Sequence, residues 1–140
     1  MALQDYQYEM ENCSRCSHCK YVPWPVMKSQ RFGKGCPSIS RFNFHTYSAS
    51  GRIEVALSVH QGRIKDWTDE MLNAVYRCQL CGACQVACRP NNFLLVDIEE
   101  IMVELRKRAV SEGQIIPEHM VMIDGMKKED NPFGEPKANR

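Results

Sequence analysis

The sequence predicts a mainly α-helical fold. Several segments repeat apolar side chains at helical spacing, and no segment alternates apolar and polar residues as a half-buried strand does. In residues 50–61, Ile53, Ala56 and Leu57 share one face and Gly62 follows. This pattern predicts a short amphipathic helix that ends at the glycine.

Two further helices are predicted. Asp66 or Thr68 can cap a helix that runs to about residue 77, and two acidic residues in its first turn favour that end. The clearest helix covers residues 97–111, because its acidic side chains come early and its basic side chains come late, as the helix dipole favours. The first of these two helices delivers the chain directly into a cysteine-rich segment.

The domain organisation predicted is one domain followed by a tail. A chain of 140 residues with 44% hydrophobic content can build one compact core. We expect residues 1–126 to form this domain. Residues 127–140 are charged and rich in Pro and Gly, so we expect an extended C-terminal tail or linker. The methionines Met102, Met120, Met122 and Met126 are interpreted as core residues.

Charge and hydropathy exclude some partner classes. The 18 basic and 17 acidic residues give a formal net charge of +1, which indicates neither a nucleic-acid partner nor an anionic membrane. No segment has the apolar run of a signal peptide or of a membrane span. We therefore expect a cytoplasmic protein without direct membrane insertion. In a reducing compartment, eight cysteines indicate metal binding rather than disulfides.

The cysteines form an internal repeat. A C-x-x-C-x-x-C motif occurs twice, and each copy is followed by a more distant fourth cysteine. Three thiolates at this spacing let one loop hold three corners of an iron-sulfur cubane, while the fourth ligand comes from elsewhere. The first block contains Cys13, Cys16, Cys19 and Cys36, and the second contains Cys78, Cys81, Cys84 and Cys88.

A crossed pairing of these blocks is expected for two [4Fe-4S] clusters. In two-cluster ferredoxins the remote cysteine of each motif ligates the other cluster. We therefore expect cluster 1 on Cys13, Cys16, Cys19 and Cys88, and cluster 2 on Cys78, Cys81, Cys84 and Cys36. Pro37 directly follows Cys36 in the usual way, whereas the second proline, Pro90, comes one residue late after Cys88.

Two other uses of the cysteines stay open. Two zinc ions with four thiolates each would also consume all eight, although zinc motifs normally use pairs of cysteines rather than triplets. A disulfide framework is the weaker alternative, because C-x-x-C pairs beside a third cysteine are typical of redox or metal sites.

Other side chains near the motifs are candidates for tuning or docking. Arg15, Lys20, Arg77 and Arg89 could each stabilise cluster charge, with a solvated surface cation as the alternative. His18, between two ligands, could donate a hydrogen bond to a cluster. The apolar insert at residues 21–27 is either a lid over cluster 1, which we favour, or a docking face for a redox partner.

At these motifs the chain resembles a known group of proteins. It is similar to the helical two-cluster ferredoxin domain of heterodisulfide reductase, lactate-utilisation and glycerol-3-phosphate dehydrogenase iron-sulfur subunits. The likeness covers about residues 10–135. It is carried by residues 13–19, by residues 67–88 with the core YRCQLCGAC at 76–84, and by residues 97–113. The resemblance implies an α-helical ferredoxin fold. In several relatives a stretch like residues 131–134 leads to a domain with CCG motifs, so this chain is either a small subunit or the N-terminal part of such a protein.

The function expected is electron transfer. A flavoprotein partner would hand single electrons to two [4Fe-4S] clusters, which pass them to other iron-sulfur subunits of an oxidoreductase complex. We expect no catalysis on this chain, because a thiol-dependent reaction would need a ninth cysteine. The alternatives are the cluster-bearing part of a heterodisulfide-reductase-like catalytic subunit and a structural metal-binding scaffold.

Overall fold

The computed structural model describes residues 2–88, 96–136 and 138. Within this part of the chain the regular elements are helices, and the strand-like pairing is an isolated bridge between Tyr21 and Lys34, which confirms the mainly α-helical class. The α-helices are α1 (Gln7–Glu11), α2 (Pro37–Phe42), α3 (Ala49–His60), α4 (Asp69–Tyr76), α5 (Ala83–Cys88), α6 (Ile98–Ser111) and α7 (Pro117–Glu129). Short 3-10 turns lie at Leu3–Tyr6, His18–Lys20, Trp24–Val26, Gln30–Phe32 and His45–Tyr47.

The three predicted helices are present as α3, α4 and α6. Of the two candidate caps for α4, Thr68 is the one used: its Oγ1 accepts a hydrogen bond from the Met71 N–H at 3.3 Å. Ser48 caps α3 in the same way, through the Gly51 N–H at 3.2 Å. Local capping chemistry therefore determines where these helices begin.

Helices α3, α4 and α6 provide the core of the first compact unit, residues 1–108. Ile53 of α3, Val75 of α4, and Ile101 and Leu105 of α6 are all at most 1% exposed. Each such side chain contributes roughly 1.5–3 kcal/mol when fully buried. Met102 also lies in this core, as expected.

The second compact unit, residues 109–140, differs from the predicted tail. Helix α7 continues through Glu129, so the first residues expected to be extended are helical. The chain then turns at Asn131, whose Oδ1 accepts hydrogen bonds from the N–H groups of Phe133 (2.9 Å) and Glu135 (3.2 Å). The predicted core role of three methionines is wrong here, since Met120, Met122 and Met126 are 41–50% exposed.

The shorter helices were not predicted from the sequence. Helices α2 and α5 have six residues each, which is too few to show a helical repeat of apolar positions. Pro37 occupies the first turn of α2, and Asn43 ends the helix in a left-handed conformation with φ of 50°. None of the described helices combines the length and the apolar character that a bilayer crossing needs.

Candidate metal centres

The two C-x-x-C-x-x-C loops share left-handed backbone positions around their second cysteine. The residue before the second cysteine has a positive φ in both loops, 53° at Arg15 and 50° at Leu80. The residue after that cysteine does too, with 66° at Ser17 and 69° at Gly82. Left-handed conformations are costly for residues other than glycine and concentrate at functional sites. Alternation of this kind also turns successive N–H groups into an anion-binding concavity.

The first cavity lies beside the N-terminal motif. Its wall includes the four cysteines Cys13, Cys16, Cys19 and Cys88, together with Ser50 and Ile53 of α3. Cys88 reaches this cavity because it is the last residue of α5. The Cys19 thiol donates a hydrogen bond to Ser50 Oγ at 3.6 Å, which fixes the cysteine against α3.

The second cavity lies beside the other motif. Its wall includes the four cysteines Cys36, Cys78, Cys81 and Cys84, together with Ser38 and Arg52. Cys36 is brought here because it directly precedes α2, and its thiol lies 3.9 Å from the Tyr47 carbonyl oxygen. Cys78 enters the wall shortly after the end of α4.

Each cavity therefore combines three cysteines of one motif with the remote cysteine of the other. These are the same two sets of four that the sequence grouped; their role as ligands stays a prediction. Across the described ranges, no three Cys, His, Asp or Glu side chains converge closely enough to hold a single metal ion. The thiols are instead spread around the walls of two cavities.

The two cavities share a wall residue. Ile98, the first residue of α6, lines both of them and is 3% exposed. Cys84 of the second cavity also experiences the charge of Cys19 of the first cavity. The two cysteine sets are therefore within electrostatic reach of each other.

Burial keeps two of the thiols protonated in the metal-free protein. It raises the pKa of Cys84 to about 12, with further contributions from Cys78, Cys19, Cys36 and Cys81. Burial likewise raises the pKa of Cys13, although Arg15 acts in the opposite direction. Because iron binds the thiolate, cluster binding at these positions must displace protons.

The cations predicted near the motifs are mostly engaged elsewhere. Arg15 lines the first cavity, but its side chain is 42% exposed and forms an ion pair with Glu54. The Arg77 guanidinium lies over the Phe42 ring, 5.6 Å from its centroid. Lys20 is absent from the described walls of both cavities, and Arg89 lies outside the described residues. His18 is exposed at the edge of the first cavity.

Two arginines were missed by the sequence analysis. Arg52 is 2% exposed and lines the second cavity, where its Nε donates to the Ala74 carbonyl at 2.6 Å. Arg106 donates to the carbonyls of Val75, at 3.0 Å, and of Cys78. A signal existed for Arg52, because it lies on the same face of α3 as the apolar positions Ile53 and Ala56.

The insert between Cys19 and Cys36 closes on itself. Val22 N–H donates to the Gly33 carbonyl at 2.8 Å, and so the ends of the loop lie together. Trp24 is 84% exposed and Phe32 is 73% exposed. None of the described residues that line the first cavity belongs to residues 21–27, which does not support the expected lid.

Comparison with known proteins identifies the family. The profile of the 4Fe-4S dicluster domain matches residues 9–92, more than half of the chain, and this range contains all eight cysteines and therefore both cavities' thiols. No curated protein and no solved structure matches the chain. Two repeated cysteine loops and two thiol-lined cavities agree with the matched domain. The chain therefore belongs to the 4Fe-4S dicluster domain family and is an iron-sulfur protein with an electron-transfer role.

Proposed function

We propose that this chain binds two [4Fe-4S] clusters and relays single electrons between a flavoprotein and another redox subunit of an oxidoreductase complex. The observation that carries the proposal is the pair of cavities, each with four thiols on its wall. Cluster 1 is assigned to Cys13, Cys16, Cys19 and Cys88, and cluster 2 to Cys36, Cys78, Cys81 and Cys84.

The donor sets fit these groups. Four thiols per cavity match the four corners of a cubane, and both loops have the left-handed positions that are typical of anion-binding concavities. When bound, the clusters would supply one-electron chemistry without making or breaking a substrate bond. The chain itself holds the thiols in place, excludes water with Ile53 and Met102, and supplies compensating charge.

The burial of the cysteines supports a relay. In each set the middle cysteine of the motif is exposed, Cys16 in the first and Cys81 in the second. The remote cysteines, Cys88 and Cys36, are buried. Ile98 lines both cavities, so the two sites are adjacent, and each has an exposed cysteine. A purely structural metal site would not need such exposed cysteines.

The insert supports a protein partner with an acidic surface. Residues 13–53 contain seven Lys or Arg residues and no Asp or Glu, and five of the seven remain when the buried Arg52 and the paired Arg15 are set aside. Lys28 and Arg31 are exposed beside the exposed Trp24 and Phe32. Aromatic and Arg residues are favoured in interface cores, and surface cations steer an oppositely charged partner. A flavoprotein with an acidic face is therefore the partner we propose.

Metal analysis of anaerobically prepared protein tests the cluster assignment. We expect about eight irons and eight inorganic sulfides per chain, and two interacting paramagnets in the EPR spectrum after reduction by dithionite. Zinc in place of iron, or a chain that binds iron without being reducible, would contradict the relay.

Charge reversal in the insert tests the partner. The double variant Lys28→Glu, Arg31→Glu should slow electron transfer from reduced flavodoxin, a small acidic flavoprotein, at least tenfold at low salt and much less at high salt. The matched control Lys127→Glu, Lys128→Glu makes the same charge change on α7. Equal effects of both double variants would refute a docking role for the insert.

A further inference from the structure

Arg52 is a buried cation with neutral partners. Its Nε donates to the Ala74 carbonyl at 2.6 Å, and its Nη2 donates to Ser38 Oγ at 3.1 Å. No carboxylate among residues 2–88 and 96–136 pairs with it. Burying a charge is costly unless an opposite charge lies nearby. The metal-free protein therefore carries an uncompensated positive charge in the wall of the second cavity.

A second guanidinium lies in the same region. Arg106 is half-buried, donates to the Cys78 carbonyl, and has a buried Nε without a hydrogen-bond partner among the described residues. Arg52 and Arg106 donate to the adjacent carbonyls of Ala74 and Val75, so two like charges lie close together. This arrangement is unfavourable unless an anion lies between or beside them.

Among the described residues, the wall of the first cavity holds no buried cation. The described wall cation is Arg15, which is 42% exposed and already paired with Glu54. An exposed and neutralised guanidinium contributes little field at a neighbouring site, since solvent and the carboxylate both screen it. In the part of the chain that the structure describes, the two cavities therefore differ in electrostatic environment although each has four thiols.

We infer that Arg52 is the counter-charge of the cluster held by Cys36, Cys78, Cys81 and Cys84, and that it makes this cluster the more easily reduced of the two. The inference rests on the proposed function and adds a direction, because electrons then pass from the first site to the second. The reaction is the gain of one electron per cluster, supplied in the test by dithionite. No bond changes, and the added negative charge is stabilised by the guanidinium.

A structural role for Arg52 predicts a different result. Arg52 also connects α3 to α4 through its hydrogen bond to the Ala74 carbonyl. It donates a second hydrogen bond to Ser38, and the Ser38 hydroxyl in turn donates to the Arg77 carbonyl at 2.6 Å. Arg52→Gln keeps hydrogen-bond donors but removes the charge. Arg52→Lys keeps the charge but loses the forked geometry. Ser38→Ala removes the hydrogen bond and leaves the charge in place.

The test is an EPR-monitored redox titration of the cluster-loaded full chain. Arg52→Gln should lower the equilibrium constant for reduction of the cluster in the second cavity by about tenfold. This change corresponds to a potential lower by about 59 mV for a one-electron couple. Arg52→Lys should keep the wild-type value within about threefold, and Ser38→Ala should shift it less than Arg52→Gln does. The control Arg41→Gln removes an exposed charge outside both described walls and should leave both clusters within about threefold. Combined with Cys16→Ser, Arg52→Gln should still shift the remaining cluster.

Several outcomes would overturn the inference. An unchanged potential in Arg52→Gln, or an equal shift in Arg52→Lys, would assign Arg52 a structural role only. If Arg52→Gln fails to bind iron, Arg106→Gln is titrated instead; it should shift the same cluster in the same direction, and the absence of a shift would reject the idea. A wild-type chain without any reducible cluster would instead reject the proposed function itself.

Discussion

Replacing Gly51 by alanine should disturb both cavities at once. Gly51 lies in the first turn of α3, where an added Cβ would be 2.4 Å from the His45 carbonyl oxygen and 2.7 Å from the Thr46 Cα. Both atoms belong to the backbone, so no side-chain rotation relieves the contact. To reach the shortest tolerated separation of 3.0 Å, α3 and the backbone of residues 45 and 46 must move apart by at least about 0.6 Å.

The expected loss of stability is moderate. Overpacking against fixed atoms costs about 1–3 kcal/mol, and the better helix propensity of alanine returns up to about 1 kcal/mol. We expect a net loss of about 1–2 kcal/mol in the free energy of unfolding. Because α3 also carries Ser50 and Arg52, which line the two cavities, the iron and sulfide content should fall at both sites.

Urea unfolding and iron analysis measure these effects. The matched control is Gly33→Ala, where φ is −74° and suits any residue. The added Cβ would lie 3.3 Å from the Gln30 backbone carbonyl oxygen and 3.4 Å from the flexible Met27 side chain. This variant should be within about 0.5 kcal/mol of the wild type. If Gly51→Ala were as stable as the control and fully loaded with iron, the close packing of α3 against residues 45 and 46 would be refuted.

Three further predictions concern the cysteine loops. Cys88→Ser should deplete the cluster of the N-terminal motif more than the cluster of its own sequence neighbours, as EPR of the reduced variant can show; the opposite pattern would overturn the crossed assignment. In the metal-free protein the pKa of Cys84 is raised, so the folded state keeps this proton at a pH where the unfolded chain has lost it. The contribution of Cys84 to the free energy of unfolding is therefore complete below about pH 9 and is lost towards about pH 12. Urea unfolding should show that the free energy of unfolding declines by up to about 1.4 kcal/mol per pH unit in that window, and that Cys84→Ser makes the decline smaller. An equal decline in the wild type and in the variant would exclude Cys84 as the source. Ser17→Gly should raise the free energy of unfolding by about 1 kcal/mol, because glycine adopts the left-handed conformation without strain, and a lower value would argue against that conformation.

Features that depend on residues close together in the sequence could be predicted from the sequence. The spacing of the three cysteines in each motif is fixed by the chain, so their grouping could be anticipated before the cavities were known. The fourth thiol of each set is remote, and its pairing was expected from the rule for two-cluster ferredoxins. The same holds for Thr68, because an N-cap depends on a neighbouring N–H group three residues away. Helix α6 was also predictable, since its length allows several repeats of the apolar face.

The features that were missed or predicted wrongly depend on contacts between residues that are distant in the sequence. Arg52 was missed because charged residues are rarely buried, and its position on an apolar face has meaning only once α3 is enclosed. The methionines of α7 were misassigned because Met120 and Met122 flank Val121, and consecutive residues of a helix cannot all share one face. The insert was misjudged because its prolines restrict the backbone but do not determine which way Trp24 points.

The shared position of Ile98 links the two sites mechanically. Asp97, directly before it, receives a hydrogen bond on Oδ1 from Gln85 of α5 at 2.9 Å, and its N–H donates to Glu9 of α1 at 2.6 Å. Helices α1, α5 and α6 are thus joined directly before Ile98, which borders both thiol sets. We therefore expect a binding event that displaces α1 to act on both cavities through the start of α6.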